Sequence, residues 1–375
     1  MRTIIFFDQS ASVGGGQIVL LSLIEAAHGI FDRVIVAAPL GGAFEQRVRE
    51  RFGDTITLVP IKEVRLTIGR KTLADVPRFI SYNLSLLRYW RLVRKANLVY
   101  VNGGRVILGA MLLSVLCRRS CLYHLHVDHS QLEKLLFLLA ARLPWTAGIL
   151  ANSEFNLKKF QAACPSLAED PCLFSVENAL DRRYANLRFV DRFTTPRQSL
   201  RVLVAGTLTP EKGQDMAVEL ARRLPAIEMY LVGSIYPSAE VWVAGLRNAA
   251  PVNVIFHGAV TDMPALIDRL GIHVNLVPSR YEEAFGLVSI EGMASSCITL
   301  VSGRGALPDI AAKTGAIVCE HIDAMTAELD RLVAMPADQL TLLARSQFEA
   351  TMIAYAPDRY IEEVSLIMRA AMASA

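Results

Sequence analysis

Pro278-Ser279-Arg280-Tyr281-Glu282-Glu283-Ala284-Phe285-Gly286-Leu287-Val288-Ser289-Ile290-Glu291 lies between an apolar run, Ile272 to Val277, and a segment of helical spacing, Leu287 to Ala294. Proline stops the run and glycine turns the corner, so a strand feeds a loop and the loop feeds a helix N-terminus. That end offers backbone N–H groups without intrahelical partners and the positive pole of a helix dipole, a setting for phosphate. Glu283 precedes the helix, and Glu291 lies inside it, a little over two turns further on. On any helix, two glutamates so spaced can simply be a solvated charge and a capping residue. Beside a phosphate they suit hydroxyls, and a nucleotide sugar offers both chemistries.

Outward from this stretch the same strand-then-helix order repeats. Apolar runs at Leu200 to Ala205, Met229 to Val232, Val252 to Phe256, Ile272 to Val277, Cys297 to Val301 and Ala316 to Val318 have helical segments between them. Earlier in the chain the runs are Thr3 to Phe7, Arg33 to Ala38, Thr57 to Ile61, Asn97 to Asn102, Cys121 to His126, Thr146 to Asn152 and Leu173 to Val176. Such alternation predicts parallel sheets with crossover helices, hence α/β domains. Asp181 to Ser199 has no clear period, and Tyr355-Ala356-Pro357 interrupts helical sequence near the C-terminal end. The expected layout is a domain at 1–182, a linker at 183–199, a second domain at 200–355 and a final helix at 356–375.

With 375 residues, two domains are expected from a prior of about 150 residues each. A hydrophobic fraction of 53% supplies two cores, and 20% charged residues without low-complexity runs argue against disorder. Val106 to Cys117 and Leu132 to Ala140 are the most apolar segments, yet each is shorter than the roughly 18 residues that span a bilayer, so buried helices are expected. The first apolar run is too short for a signal-peptide core. Six cysteines in a chain of this size do not form a disulfide framework, which fits a reducing cytoplasm. The net charge of +3 conceals a split: residues 1–180 carry 21 Lys+Arg against 14 Asp+Glu, and the remainder 18 against 22. One half is thus suited to an anionic surface. No nucleic-acid partner is expected.

Glu283-x-Phe285-Gly286-Leu287-Val288-x-x-Glu291-x-Met293-Ala294, followed by Gly305-x-x-Pro308-Asp309-Ile310, resembles the signature of the family 4 retaining glycosyltransferases. Gly206-Thr207-Leu208-Thr209-Pro210-Glu211-Lys212-Gly213 is similar to the family's G-R-L-x-x-x-K-G segment, with Thr207 in place of the arginine. Arg280 and Arg304 are nearby cations that could replace that charge. The resemblance implies the GT-B architecture: two Rossmann-like, doubly wound parallel-sheet domains facing a cleft, with the last helix crossing back to the first domain. It implies a hexosyltransferase that moves sugar from a nucleotide diphosphate sugar to a hydroxyl of a glycan or lipid-linked acceptor, with retention. Glu283 would meet hexose hydroxyls and Glu291 the ribose. Lys212 and the N–H groups at Gly286 and Leu287 would hold the diphosphate, with Gly206, Gly233, Phe285 and Val288 completing the donor site. No cofactor is implied, and the lack of Asp-x-Asp agrees with metal independence. At Ser296 and Ile298 the family has glycine and proline, so a differently shaped turn is expected there.

Three further segments carry chemistry. Gly14, Gly15 and Gly16 follow the first strand; by themselves they are equally a flexible turn, and the resemblance places them as an acceptor and phosphate loop. His124-Leu125-His126-Val127-Asp128-His129 satisfies H-x-H-x-D-H, the signature of binuclear zinc hydrolases, but the downstream ligands and mixed sheets of that class are missing. The resemblance instead assigns His126 to the reacting sugar. A zinc-dependent hydrolase and a GT-B nucleotide-sugar epimerase remain the alternatives. Finally, 62–95 holds nine Lys+Arg against two acidic residues with interleaved aromatics. Leu84, Leu87, Tyr89 and Leu92 there suit either an anionic membrane surface or ordinary packing on the sheet. A cytoplasmic protein, peripheral on the membrane's inner face, follows from the first choice, in keeping with polysaccharide or glycolipid assembly.

Overall fold

The computed structural model describes residues 1–63, 75–126, 130–194 and 198–373. The chain divides into two compact units, Met1–Asp181 with Pro357–Ala375, and Arg182–Ala356.

In the first unit the elements run β1 (Thr3–Asp8), α1 (Gly15–His28), β2 (Arg33–Ala38), α2 (Ala43–Phe52), β3 (Ile56–Pro60), α3 (Asp75–Ser85), α4 (Trp90–Val93), β4 (Leu98–Asn102), α5 (Ile107–Cys117), β5 (Ser120–Leu125), α6 (Gln131–Ala141), β6 (Thr146–Ala151), α7 (Glu154–Ala163) and β7 (Leu173–Ser175). They form a parallel sheet in the order β3-β2-β1-β4-β5-β6-β7. Every residue of β1, β4 and β5 is buried, as a parallel sheet covered on both faces requires of its central strands. The winding reverses between β1 and β4, where doubly wound sheets open a crevice beyond the carboxyl ends of their strands. Register sets Asp8 opposite Asn102, and Asn102 opposite His124, at that edge.

The second unit continues with β8 (Leu200–Ala205), α8 (Gln214–Arg223), β9 (Ile227–Val232), α9 (Glu240–Ala249), β10 (Val254–Gly258), α10 (Met263–Leu270), β11 (Val274–Val277), α11 (Leu287–Ala294), β12 (Ile298–Ser302), α12 (Leu307–Thr314), β13 (Ile317–Cys319), α13 (Ile322–Ala334) and α14 (Ala337–Ala354). Its parallel sheet has the order β10-β9-β8-β11-β12-β13, reversing between β8 and β11. Val202, Val204, Met229, Leu276 and Leu300 build its core with Leu220 of α8 and Leu329 of α13. After α14 the chain returns to the first unit as α15 (Pro357–Ala373), which packs on α1, β4 and β5.

Some local expectations change. β10 begins at Val254 rather than Val252, because Val254 N–H closes a turn onto the Pro251 carbonyl and Val252 points into solvent. α6 is not a fully buried helix, since Leu132, Leu135 and Leu139 lie along an exposed face. The turn after α11 keeps a glycine-like backbone: Ser296 adopts φ 64°, and its Oγ accepts from Val190 N at 3.0 Å. No helix among the described residues is long and apolar enough to cross a membrane.

Candidate functional site

In the second unit the candidate residues gather at the carboxyl ends of β8 and β11. Glu283 is buried, and its carboxylate accepts from three donors. Ser279 Oγ and Lys212 Nζ reach Oε1 at 2.6 and 2.8 Å, and the Tyr281 hydroxyl donates to Oε2. Lys212 Nζ also lies 2.8 Å from the Tyr281 hydroxyl and 4.9 Å from its ring centre. Burial and the adjacent carboxylate push the Tyr281 phenol up, so it stays a donor near neutrality. Ser279 and Tyr281 are partners that sequence reasoning did not assign, although both lie in the quoted stretch.

Backbone geometry holds this cluster. Gly286, with φ 107°, turns the chain into α11, whose first N–H groups at Leu287 and Val288 point out of the helix end. Phe285 is buried edge-on against Tyr355, 5.7 Å between ring centres, and fixes the approach to that turn. Gly213 has φ 73°, and a Cβ on it would sit 2.1 Å from the Pro278 carbonyl oxygen, so the loop carrying Lys212 presses against the loop carrying Glu283. Gly233 is as tight: its Cβ would stand 1.8 Å from the Gly206 carbonyl oxygen, drawing the ends of β8 and β9 together. Glu291 is half-buried on α11. Arg280, one of the two cations that could replace the missing arginine, is paired with Asp215 at 2.6 Å.

The first unit has its own cluster. Gly14 caps α1, and Gly15 and Gly16 are already its first residues, not free loop. Gly14 N–H donates to Gln17 Oε1 at 3.1 Å, and Gln17 Nε2 lies 3.2 Å from both oxygens of Asp8. Asn102 Nδ2 donates to Asp8 Oδ2 at 2.6 Å. His126 follows β5, its Nε2 2.5 Å from Asn102 Oδ1. Its ring stacks on that of His124 at 3.9 Å, and a Cβ on Gly16 would come 3.6 Å from it. Burial pushes the Asp8 carboxyl up to about 6 against the donors around it, and burial with the neighbouring His126 holds His124 well below the usual imidazole range. Asp8, Asn102 and Gln17 were not singled out from sequence. The available signal was a polar residue closing each of two apolar strands.

His124 Nδ1 is taken by the Tyr100 hydroxyl at 2.9 Å, while Asp128 and His129 lie outside the described residues. Among the described residues no group of three metal-binding side chains is assembled. Of the 62–95 segment, 64–74 also lie outside the described residues. Leu87, Tyr89 and Leu92 pack against the core, the second of the two placements expected for them. Among the described residues of that segment, the exposed large apolar side chains are Val76, Ile80 and Leu84 of α3, and Trp90.

Two doubly wound units, each gathering polar side chains at its switch point, give the chain the GT-B fold. Residues 199–335 match the family model described as Glycosyl transferases group 1, so the second unit is similar to that family over this segment. D-inositol 3-phosphate glycosyltransferase of Mycobacteroides abscessus is 32% identical over 128 residues, which span 32% of this chain but only 28% of that relative. Among solved structures, Anabaena HepE in complex with UDP and glucose superposes with a TM-score of 0.80 at 17% identity, covering 98% of this chain and 100% of that one. Sucrose-phosphate synthase from Thermosynechococcus elongatus gives 0.76 at 15% identity, with 100% of each chain covered. The family resemblance read from Glu283 to Ile310 is thereby borne out.

Proposed function

We propose that the protein is a metal-independent, retaining hexosyltransferase that uses a nucleotide diphosphate sugar and glycosylates a hydroxyl of a glycan or lipid-linked acceptor in cell-surface polysaccharide or glycolipid assembly. The observation that carries this reading is the buried Glu283 carboxylate, paired with Lys212 beside the N-terminus of α11. On donor binding, Lys212 exchanges one oxyanion for another, from Glu283 to the diphosphate, where the Gly286, Leu287 and Val288 N–H groups and the helix dipole also act. Ser279 and Tyr281 keep Glu283 in place as it turns its acceptor capacity to the hexose hydroxyls. Glu291 binds the ribose, and Gly206 and Gly233 let the nucleotide approach the backbone. As the sugar–phosphate bond breaks, the leaving charge is met by Lys212 and the helix end without reorganisation of solvent. His126 and the Gly14–Gly16 turn serve the acceptor and sugar side.

A panel of nucleotide diphosphate sugars tests this by thermal shift. A donor at a hundred times its Kd stabilises the fold by about 2.7 kcal/mol, and Glu291→Ala weakens that donor by about tenfold through the lost charge-assisted hydrogen bond. Turnover of the donor without acceptor would favour an epimerase, and loss of activity with chelator a zinc hydrolase.

The acceptor side is further proposed to rest on an anionic membrane, from the inner face of which the protein works in the cytoplasm. Support comes from Val76, Ile80 and Leu84 on α3 and Leu132, Leu135 and Leu139 on α6, two exposed apolar faces whose helices both pack on α5, with exposed Arg78, Arg88, Arg91 and Arg94 nearby. Co-sedimentation is expected with vesicles containing phosphatidylglycerol and not with neutral ones. It should fall with salt and with Ile80→Glu or Leu135→Glu. Equal binding to neutral vesicles would exclude the charged surface.

A further inference from the structure

Deep in the first unit, the buried Asp8 has no substrate-facing role in the reading above, yet everything around it is arranged for it to accept. Ser10 N–H reaches Oδ1 at 2.9 Å, Gln17 Nε2 lies 3.2 Å from both oxygens, and Asn102 Nδ2 reaches Oδ2 at 2.6 Å. Asp8 and Asn102 are fully buried and sit opposite each other on adjacent parallel strands at the switch point, so their separation is set by the sheet rather than by flexible loops. A carboxylate only accepts hydrogen bonds. With Nδ2 against it, the Asn102 amide cannot flip, since the reversed amide would set oxygen against oxygen. Oδ1 therefore faces His126 Nε2, at 2.5 Å. An amide oxygen only accepts as well, so the hydrogen in this contact belongs to His126.

We propose that Asp8, acting through Asn102, is a positioning residue that holds His126 with its proton on Nε2 and leaves Nδ1 as the basic atom of the neutral ring. The role of His126 toward sugar or acceptor rests on the function proposed above; the tautomer does not. Three features strengthen the assignment. Asn152 Nδ2 donates to the His126 carbonyl at 3.0 Å, and Asn156 anchors Asn152 Oδ1 at 2.9 Å, which fixes the backbone from which the ring projects. The ring of His124 lies against that of His126 and is itself pinned through Tyr100. Gln17 joins the same carboxylate to the N–H of Gly14, so the glycine turn and the histidine take their positions from one buried anion. A ring held in one tautomer and one orientation is what chemistry on a bound sugar requires.

The test is the 15N spectrum of histidine-labelled protein, with His126→Gln used to assign the resonance. Native protein should show His126 protonated at Nε2. Asp8→Asn, nearly isosteric, frees the Asn102 amide to flip, and Asn102→Ala removes the acceptor. Each should shift population toward the Nδ1-protonated tautomer, with kcat reduced on the order of tenfold to a hundredfold at a nearly native KM for nucleotide sugar. Protonation at Nδ1 in the native protein, or an unchanged tautomer in both variants, overturns the proposal. Native kcat in variants whose tautomer has shifted overturns the positioning role. The spectrum is recorded without substrate, so Nε2-protonated His126 in a protein inert toward every nucleotide sugar would retain the network and sink the transferase reading.

Discussion

Glu283→Gln is expected to lower turnover with nucleotide sugar by about a hundredfold to a thousandfold, the range found when one preorganised electrostatic group is removed from an active site. The substitution keeps the shape. Glutamine can still accept from Lys212 and Ser279 through its oxygen, and its amide can donate to the Tyr281 hydroxyl, so all three neighbours of Glu283 keep a partner. The loss in stability should stay near 1 kcal/mol, the difference between charged and neutral hydrogen bonds. What disappears is the negative charge beside the sugar and half of its accepting capacity. Affinity for the nucleoside diphosphate alone should change little. A rate within a few-fold of native would remove Glu283 from the reaction.

Gly305→Ala should be among the most damaging of the small substitutions, and its damage should reach the same carboxylate. Gly305 has φ 65°, and a Cβ there would lie 2.2 Å from the Glu283 carbonyl oxygen and 2.3 Å from the Glu283 nitrogen. Those atoms are backbone, held on the other side by the Ala306 N–H bond to the same carbonyl at 2.8 Å, and cannot turn away. A left-handed conformation costs a non-glycine residue about 1–2 kcal/mol, and overpacking adds about 1–3 kcal/mol. Gly315→Ala is the control, because Gly315 has φ 74° with open space where its Cβ would go. Urea unfolding should show a loss of about 3 kcal/mol or more for Gly305→Ala against about 1 kcal/mol for Gly315→Ala. Stabilisation by nucleotide sugar should vanish only in the former. Equal losses would mean that the contact between Gly305 and Glu283 does not matter.

Both sheets were legible in the sequence because buried parallel strands read as uninterrupted apolar runs. Lys212, Glu283 and Gly286 were legible for another reason, as they fall on local strand–loop–helix units with recognisable spacing. Asp8 and Asn102 were not. They stand 94 positions apart, and only the pairing of β1 with β4 makes them neighbours. Ser296 hid its conformation, since nothing about serine announces a positive φ; the Val190 N–H that its Oγ accepts, and the sharp turn from α11 into β12, hold it there. For Leu87, Tyr89 and Leu92 the alternation with arginine was real, but the short turns around α4 set those side chains against the core.

α15 gives the molecule an order of assembly. The unit Arg182–Ala356 is contiguous and can fold as soon as it has been synthesised, whereas the unit that begins the chain is completed by a helix encoded after it. At the usual pace of translation those intervening residues take roughly 10 to 35 s to make. Throughout that interval the surface of α1 that will receive Tyr360, Val364 and Met368 stays open to water, a few residues from the glycines and the buried aspartate of β1. Of the two units, the one translated earlier is therefore the later to close.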